Sequence, residues 1–349
     1  MKIVSCEHFF KLKYYKMKLS LRLLLLLPFI FIMTGCPSDD SFEVVVRPYS
    51  EVYAEDITKI ETFLDTHFTT VDADYNVTFT KITAATPDAV PISDEMDTSA
   101  NQDDPSKKLK HKIVSVGGVD HKLYFLKLRE GSGGENGDMQ PTRLDSILPA
   151  YKGYRIDDLS VFETKNNPDK WLELTNVIQG WQQIFPEFKA GDDDPVGQNP
   201  DGTPIFANFG AGVMFVPSGL AYYNRIDTGM PAYSTLIFSF KLMKVRFDDV
   251  DGDKILSKYE YGGPITGTAL DTDGDGYPDY GDSDDDGDGK RTIEEIRRAP
   301  GVSDWYPFNG SPFDDPATLL IDERQGIPSC SGDYTTPNRV RRHLDPSCK

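Results

Sequence analysis

Thiols, imidazoles and positive charge are all scarce in this chain of 349 residues. Four cysteines and five histidines give almost no material for nucleophilic Cys/His chemistry or for a thiolate and imidazole metal centre. Lys and Arg total 37 against 56 Asp and Glu, a net charge of −19, which repels the phosphate backbone and excludes a nucleic-acid partner. A long apolar span is also missing. The longest run, Leu21 to Met33, is broken by Arg22 and Pro28 and falls short of the ~20 residues that cross a bilayer. Gly131 to Gly137 is glycine-rich, but no Lys-Ser/Thr pair follows it and no helix opens after it. A phosphate cradle is therefore not expected there, and a hairpin or crossover loop is.

What is present is enough for a core: 38% hydrophobic and 11% aromatic residues, in a length with room for two domains. The N-terminus has six basic residues against Glu7 in its first 35, leaving −24 for the remainder. A basic start, a short apolar run and Thr34-Gly35-Cys36 form a secretory signal that resembles a lipobox, with Cys36 as the lipidated residue and the mature N-terminus. Residues 1–36 are read as the signal, and a compact signal beginning at Met17 makes residues 1–16 an over-extended start. Pro37-Ser38-Asp39-Asp40 resembles surface-export signals of some Gram-negative lipoproteins. Cys330 and Cys348 are an even pair in an exported chain, which points to a disulfide rather than two free thiols.

Residues 37–110 are read as a tether and N-terminal region. Glu43 to Tyr49 is β-like, and Glu55 to Phe68 has the helical spacing Ile57, Ile60, Phe63, Leu64. Tyr75 to Ile82 alternates as a strand, and residues 84–108, rich in Pro, Asp, Ser and Thr, read as a mobile loop. From His111 strands predominate, at Lys112 to Val116, Lys122 to Leu128, Ile147 to Ile156, Val213 to Val216 and Thr235 to Val245. The last of these puts Leu236, Phe238 and Phe240 on one face and Ile237, Ser239 and Lys241 on the other. A short helix, Gln182 to Phe188, lies between strands, so residues 111–246 read as α+β: a curved antiparallel sheet on one short helix.

Residues 247–300 carry most of the acidity, with sixteen carboxylates against six Lys or Arg between 248 and 298. Their spacing repeats. Asp249, Asp251 and Asp253 are followed by Glu260 at the twelfth position. Asp271, Asp273 and Asp275 are followed by Asp279 at the ninth and Asp282 at the twelfth. Asp284, Asp286 and Asp288 are followed by Thr292 and Glu295. Carboxylates at positions one, three, five and twelve wrap one Ca²⁺, and a glycine at six makes the sharp turn. Lys254 stands where the first loop needs that glycine. The segment resembles EF-hand-like loops strung as in thrombospondin type 3 repeats, and structural calcium is expected. Residues 301–349 read as an irregular tail closed by the disulfide.

Five blocks between residues 111 and 246 resemble, in order, an FKBP-type peptidyl-prolyl isomerase: Ala150-Tyr151-Lys152-Gly153, Val161-Phe162-Glu163, Val177-Ile178-Gln179-Gly180-Trp181, Val216-Pro217-Ser218-Gly219-Leu220-Ala221-Tyr222, and Met230 to Phe238. The resemblance implies a sheet half-wrapped on a helix and a pocket for a proline ring. Carried over by position, the pocket is Tyr151, Phe162, Trp171, Val177, Ile178, Trp181, Tyr222 and Phe238, with Met230 on a flap and Glu163 in place of the usual Asp. Trp181 becomes the floor. The Ile178 amide and the Tyr222 hydroxyl bind substrate carbonyls. The chain departs from the family at Tyr223, where Gly is common, and in an insertion between Asp192 and Asn208.

The resemblance implies an isomerase with no catalytic cofactor that assists the folding of proline-containing exported proteins at the outer membrane, facing the periplasm or the surface. Two other readings are a non-catalytic envelope chaperone or peptide-binding module, and an accessory lipoprotein of a secretion or gliding apparatus.

Overall fold

In a computed structural model of the chain, residues 46–226, 229–261, 268–308, 326–333, 336 and 339–348 are described. The signal, the lipidation site Cys36 and the linker to residue 45 lie outside them.

The first element is a helix, α1 (Tyr49–Thr66), which starts directly after Pro48. Proline has no N–H to leave unpaired and its φ of −62° suits a helix entry. This is earlier than the sequence suggested, and it takes Tyr49 out of the expected β-like run. Its buried residues, Val52, Asp56, Ile60, Phe63 and Leu64, fall on one helical stripe. A hairpin follows, β1 (His67–Val71) with β2 (Val77–Lys81).

The central sheet comprises β3 (Leu109–Val116), β4 (Val119–Arg129), β5 (Ser146–Arg155), β6 (Val161–Lys165), β7 (Leu172–Glu173), β10 (Gly210–Val216) and β11 (Leu236–Arg246). Its order is β3-β4-β10-β11-β5-β6, with β7 also on β5, and every pairing is antiparallel. Between β7 and β10 come α2 (Gln179–Ile184), a 3-10 turn Phe185–Glu187, and the small hairpin β8 (Gly197–Gln198) with β9 (Pro204–Ile205).

Strand alternation divides the core in two. Leu123 and Phe125 of β4, Met214 and Val216 of β10, and Leu236, Phe238 and Phe240 of β11 face α2. The intervening Tyr124, Leu126, Val213, Phe215 and Ile237 meet α1 and the β1–β2 hairpin. The sheet is thus covered on both faces, and the N-terminal region is part of the fold rather than only a tether. The stretch expected to be a mobile loop is ordered around Asp97. That carboxylate is 2% exposed and accepts bonds from Ser99, Asp104 N–H and Lys110. Although burial pushes it upward, these donors hold Asp97 well below the usual carboxylate range.

Beyond β11, two one-turn helices, α3 (Ser257–Glu260) and α4 (Thr292–Glu295), sit among the acidic loops. In the tail, Cys330 and Cys348 are joined, with Cα atoms 5.3 Å apart. No described helix is long and apolar enough to cross a membrane.

Candidate functional site

Helix α2 lays Trp181 onto the sheet because its second residue is Gly180. A Cβ there would stand 2.7 Å from Val216 Cγ1, so any larger residue would lift the helix off β10. Trp181 is 4% exposed. Its ring meets Tyr151 edge-on at 4.8 Å, Phe238 at 5.3 Å and Phe185 at 5.1 Å. Phe162 stands edge-on to Phe238 at 5.6 Å. It reaches there across Gly153, where a Cβ would meet the Phe162 ring at 2.5 Å. Val177, Ile178 and Tyr222 are half-buried against this cluster, and Met230 is buried within it. Edge-to-face pairs of this kind give a rigid apolar surface.

Polar groups border the rings. Tyr151 donates its hydroxyl to Glu163 Oε1 at 2.7 Å. Burial first, then this bond and the nearby Tyr222, push the Tyr151 phenol upward and keep it neutral. The Glu163 side chain is thus long enough to meet the Tyr151 hydroxyl from β6. At the start of α2 the Trp181 and Gln182 amides donate to the Ile178 carbonyl, bonds in which the Ile178 N–H takes no part.

Trp171 is not brought into this cluster. It immediately precedes β7, which pairs with Ser146 and Ile147 at the opening of β5, so Trp171 stands beside the first part of that strand, before Tyr151. There its ring lies 5.2 Å from the Arg246 guanidinium and lines a cleft of about 260 Å³. The insertion does not cover the aromatic cluster either. Its β8–β9 hairpin, with the β1–β2 turn and the Lys152 and Lys241 face of the sheet, encloses a cleft of about 810 Å³.

The departure at Tyr223 has a structural reason. Its ring stacks on Tyr49 of α1 at 4.1 Å with planes 2° apart, its hydroxyl donates to the Arg47 carbonyl, and it adopts φ +52°. Nearby, buried Asp56 of α1 accepts the Ser218 amide and hydroxyl at 2.7 and 2.6 Å and the Thr235 hydroxyl at 2.6 Å. Ser218 and Thr235 bracket the segment that carries Tyr222 and Met230, so α1 clamps both ends of that side of the site. No local sequence signal marks this link, which joins residues more than 160 positions apart.

The acidic segment is one loop built three times. The first aspartates, Asp249, Asp271 and Asp284, accept the N–H of the sixth residues Lys254, Gly276 and Gly289 at 3.2, 3.2 and 2.9 Å. The second residue's N–H donates to the ninth side chain: Val250 to Ser257, Thr272 to Asp279, Asp285 to Thr292. The ninth N–H returns to the carbonyl that precedes the loop. Asp279 and Thr292, expected as ligands, thus close their loops instead. The sixth residues have φ of 85°, 99° and 93°, so Lys254 takes a conformation that suits glycine.

Three groups of carboxylates converge, each with one oxygen per residue within 4.8 Å of the others: Asp251, Asp253, Glu260 and Asp285; Asp284, Asp286 and Asp288; and the exposed Asp271, Asp273 and Asp275. Asp249, Asp282 and Glu295 are outside these groups, with Glu295 close to Asp286 and Asp288 of the third loop. Asp249 accepts the Gly252 and Lys254 amides, and Asp282 accepts the Asp284 amide. Asp285 was not anticipated. Glu260 is 4% and Glu295 1% exposed, and neither carboxylate has a hydrogen-bond partner for either oxygen among the described residues. Lys290 Nζ is 3.9 Å from Glu295. Burial, reinforced by neighbouring carboxylates, pushes Glu260 to about 10, Asp285 to about 9 and Glu295 to about 8. Burying such groups without a counter-ion is strongly unfavourable. An all-oxygen donor set of this kind suits a hard divalent cation.

The chain is thus an α+β protein with a large antiparallel sheet, an aromatic site on one face and a C-terminal acidic segment. Residues 243–319 match the family described as BamM C-terminal. No curated protein matches the chain. Among solved structures it is similar to a peptidyl-prolyl cis-trans isomerase from Pseudomonas syringae pv. tomato, with 14% identity, a TM-score of 0.32 and coverage of 58% of this chain and 98% of that one. It is also similar to FkpA from Escherichia coli, with 24% identity, a TM-score of 0.29 and coverage of 39% and 51%. A third is the three FKBP domains of wheat FKBP73, with 18% identity, a TM-score of 0.28 and coverage of 36% and 47%. The chain spans about half of the latter two proteins.

Proposed function

We propose that this protein is a peptidyl-prolyl isomerase of the FKBP type that acts on exported, proline-containing chains, with Ca²⁺ as a structural cofactor of its C-terminal loops. The observation that carries the reading is the aromatic cluster. Tyr151, Phe162, Trp181, Tyr222, Met230 and Phe238, drawn from blocks scattered over 88 residues, meet around one apolar floor.

An X-Pro bond turns slowly because amide resonance stiffens its C–N bond, with a barrier of about 18–20 kcal/mol. The twisted amide has lost resonance and carries less charge separation than the planar one. A dry surface of rings therefore favours it over the ground state, and no nucleophile is needed. In this reading the proline ring rests on Trp181 between Phe162 and Phe238. The Ile178 N–H and the Tyr222 hydroxyl hold the flanking carbonyls, and Glu163 keeps Tyr151 fixed.

Calcium in the loops is supported by the buried Glu260 and Glu295, neither of which has a hydrogen-bond partner among the described residues. An outer-membrane setting, with a partner in outer-membrane assembly, is supported by the lipobox at Cys36 and by the match to the BamM C-terminal family.

The test is a proline-isomerisation assay on the lipid-free protein with a short X-Pro peptide and a proline-limited refolding substrate. Tyr222→Phe removes one substrate hydrogen bond, so kcat/KM falls about tenfold, while Trp181→Ala abolishes turnover. A wild-type protein that binds unfolded chains without accelerating isomerisation would make the site a peptide-binding module and end the enzyme reading.

A further inference from the structure

The three loops are separate in sequence, but two of them exchange a ligand. Along Asp284-Asp285-Asp286 successive side chains alternate in direction. Asp284 and Asp286 turn into the group that contains Asp288, and Asp285 turns away into the group of Asp251, Asp253 and Glu260. Asp285 is 2% exposed, with one carboxylate oxygen unpartnered among the described residues, beside Asp253 at 2% and Glu260 at 4%. Its amide is tied to Thr292 of its own loop at 3.2 Å, so its position depends on how that loop is closed.

We propose that the first loop's cation site is composite, completed by Asp285 of the third loop, so that the two sites fill as a coupled pair. The proposal rests on the calcium reading above and adds what joins the sites. The first loop supplies Asp251, Asp253 and Glu260, three carboxylates for a cation that takes six to eight oxygens. Asp285 is the fourth. A cation on Asp284, Asp286 and Asp288 pins the backbone on both sides of Asp285, which orders the ligand that the other ion needs. By linkage the effect is reciprocal.

The middle loop takes no part in the exchange of ligands. Its Asp271, Asp273 and Asp275 are exposed and lie in a group of their own. It is joined to the pair through the backbone, where the Leu270 amide donates to the Glu260 carbonyl at 3.0 Å. The structure thus assigns two interlocked sites, one largely buried and one partly buried, and one exposed site that binds more weakly.

The experiment is a Ca²⁺ titration of the metal-stripped, lipid-free protein by calorimetry, with bound ions counted by native mass spectrometry. The wild type is expected to hold two ions tightly and cooperatively, with a third at least about tenfold weaker. Asp285→Asn should lose one tight ion although all three carboxylates of its own loop remain, and Asp251→Asn should lose the same ion. Asp275→Asn removes the same charge from the exposed loop and should keep both tight ions. Glu295→Gln should weaken both tight ions by about tenfold or more, the size of coupling ordinarily seen between linked sites.

Two tight ions of unchanged affinity in Asp285→Asn would overturn the composite site and leave the calcium reading intact. Independent binding of the two ions in the wild type would overturn the coupling. A wild type that binds no Ca²⁺ would remove both readings. Circular dichroism at saturating Ca²⁺ establishes that each variant is folded. If Asp285→Asn fails that check, the comparison of Asp251→Asn with Glu295→Gln decides the coupling on its own, because a coupled pair weakens in both and independent sites weaken one apiece.

Discussion

Replacing Asp56 by alanine tests whether α1 is part of the aromatic site or only covers the far face of the sheet. The change removes the acceptor for the Ser218 amide, the Ser218 hydroxyl and the Thr235 hydroxyl, and both partner residues are fully buried. An orphaned buried donor costs about 1–3 kcal/mol. Part of that loss is offset, because burial outweighs the three hydrogen bonds and holds the Asp56 carboxyl above its ordinary range, so removing the carboxylate also relieves a desolvation penalty. The net loss is about 2–4 kcal/mol, which at about 2–4 °C per kcal/mol for a chain of this size lowers Tm by roughly 5–15 °C. Since Ser218 and Thr235 flank Tyr222 and Met230, affinity for an X-Pro peptide should fall as well, and at temperatures well below the new Tm. Asp56→Asn keeps one oxygen acceptor and should lie between the two proteins in both measurements. Calorimetric melting with peptide titration at 15 °C reads both effects. An Asp56→Ala protein that melts with the wild type and binds peptide equally would refute the clamp.

The remaining predictions use the same geometry. Lys254→Gly removes a left-handed residue at φ +85° and should stabilise the calcium-loaded protein by about 1 kcal/mol, whereas Gly289→Ala at the equivalent φ +93° should destabilise it; a melting series shows whether the signs are opposite. Because the folded-state pKa of Asp56 is raised, its protonated form is favoured by folding, so the wild type loses stability relative to Asp56→Asn as pH rises from about 4. Urea titrations at several pH values in saturating Ca²⁺ measure that difference, and a slope of the opposite sign would contradict the assigned burial. Chelating Ca²⁺ should lower Tm of the whole chain, since an ion at a hundred times its Kd contributes about 2.7 kcal/mol per site; an unchanged Tm would argue that the buried carboxylates bind no metal. Gly180→Ala should cost about 1–3 kcal/mol by forcing α2 off Val216, read as a fall in the urea midpoint and a shift in Trp181 fluorescence.

Much of the sheet was legible because its signals are local. Alternation along β11 placed Leu236, Phe238 and Phe240 on one face, and it is that face which meets Trp181. The same alternation marked Ile237 as facing the other way, but nothing nearby in sequence said that α1 and a hairpin more than 150 residues upstream would cover it. Trp171 shows the reverse failure. It lies only six residues before Val177, yet the pairing of β7 with the first residues of β5 carries it away from the pocket.

The acidic loops show how the information divides. Aspartates at every second position and the glycines between them were enough to specify three turns, since an Asx-type loop is closed by bonds spanning no more than nine residues. Sequence spacing alone therefore determined that each loop forms and where its carboxylates start. It did not determine which carboxylates share a site. Asp279 and Thr292 turned to loop closure, and Asp285 joined residues more than 24 positions away. Those outcomes were decided by tertiary packing, because how the buried carboxylates group depends on how one closed loop docks against another, and that contact has no signature within either loop.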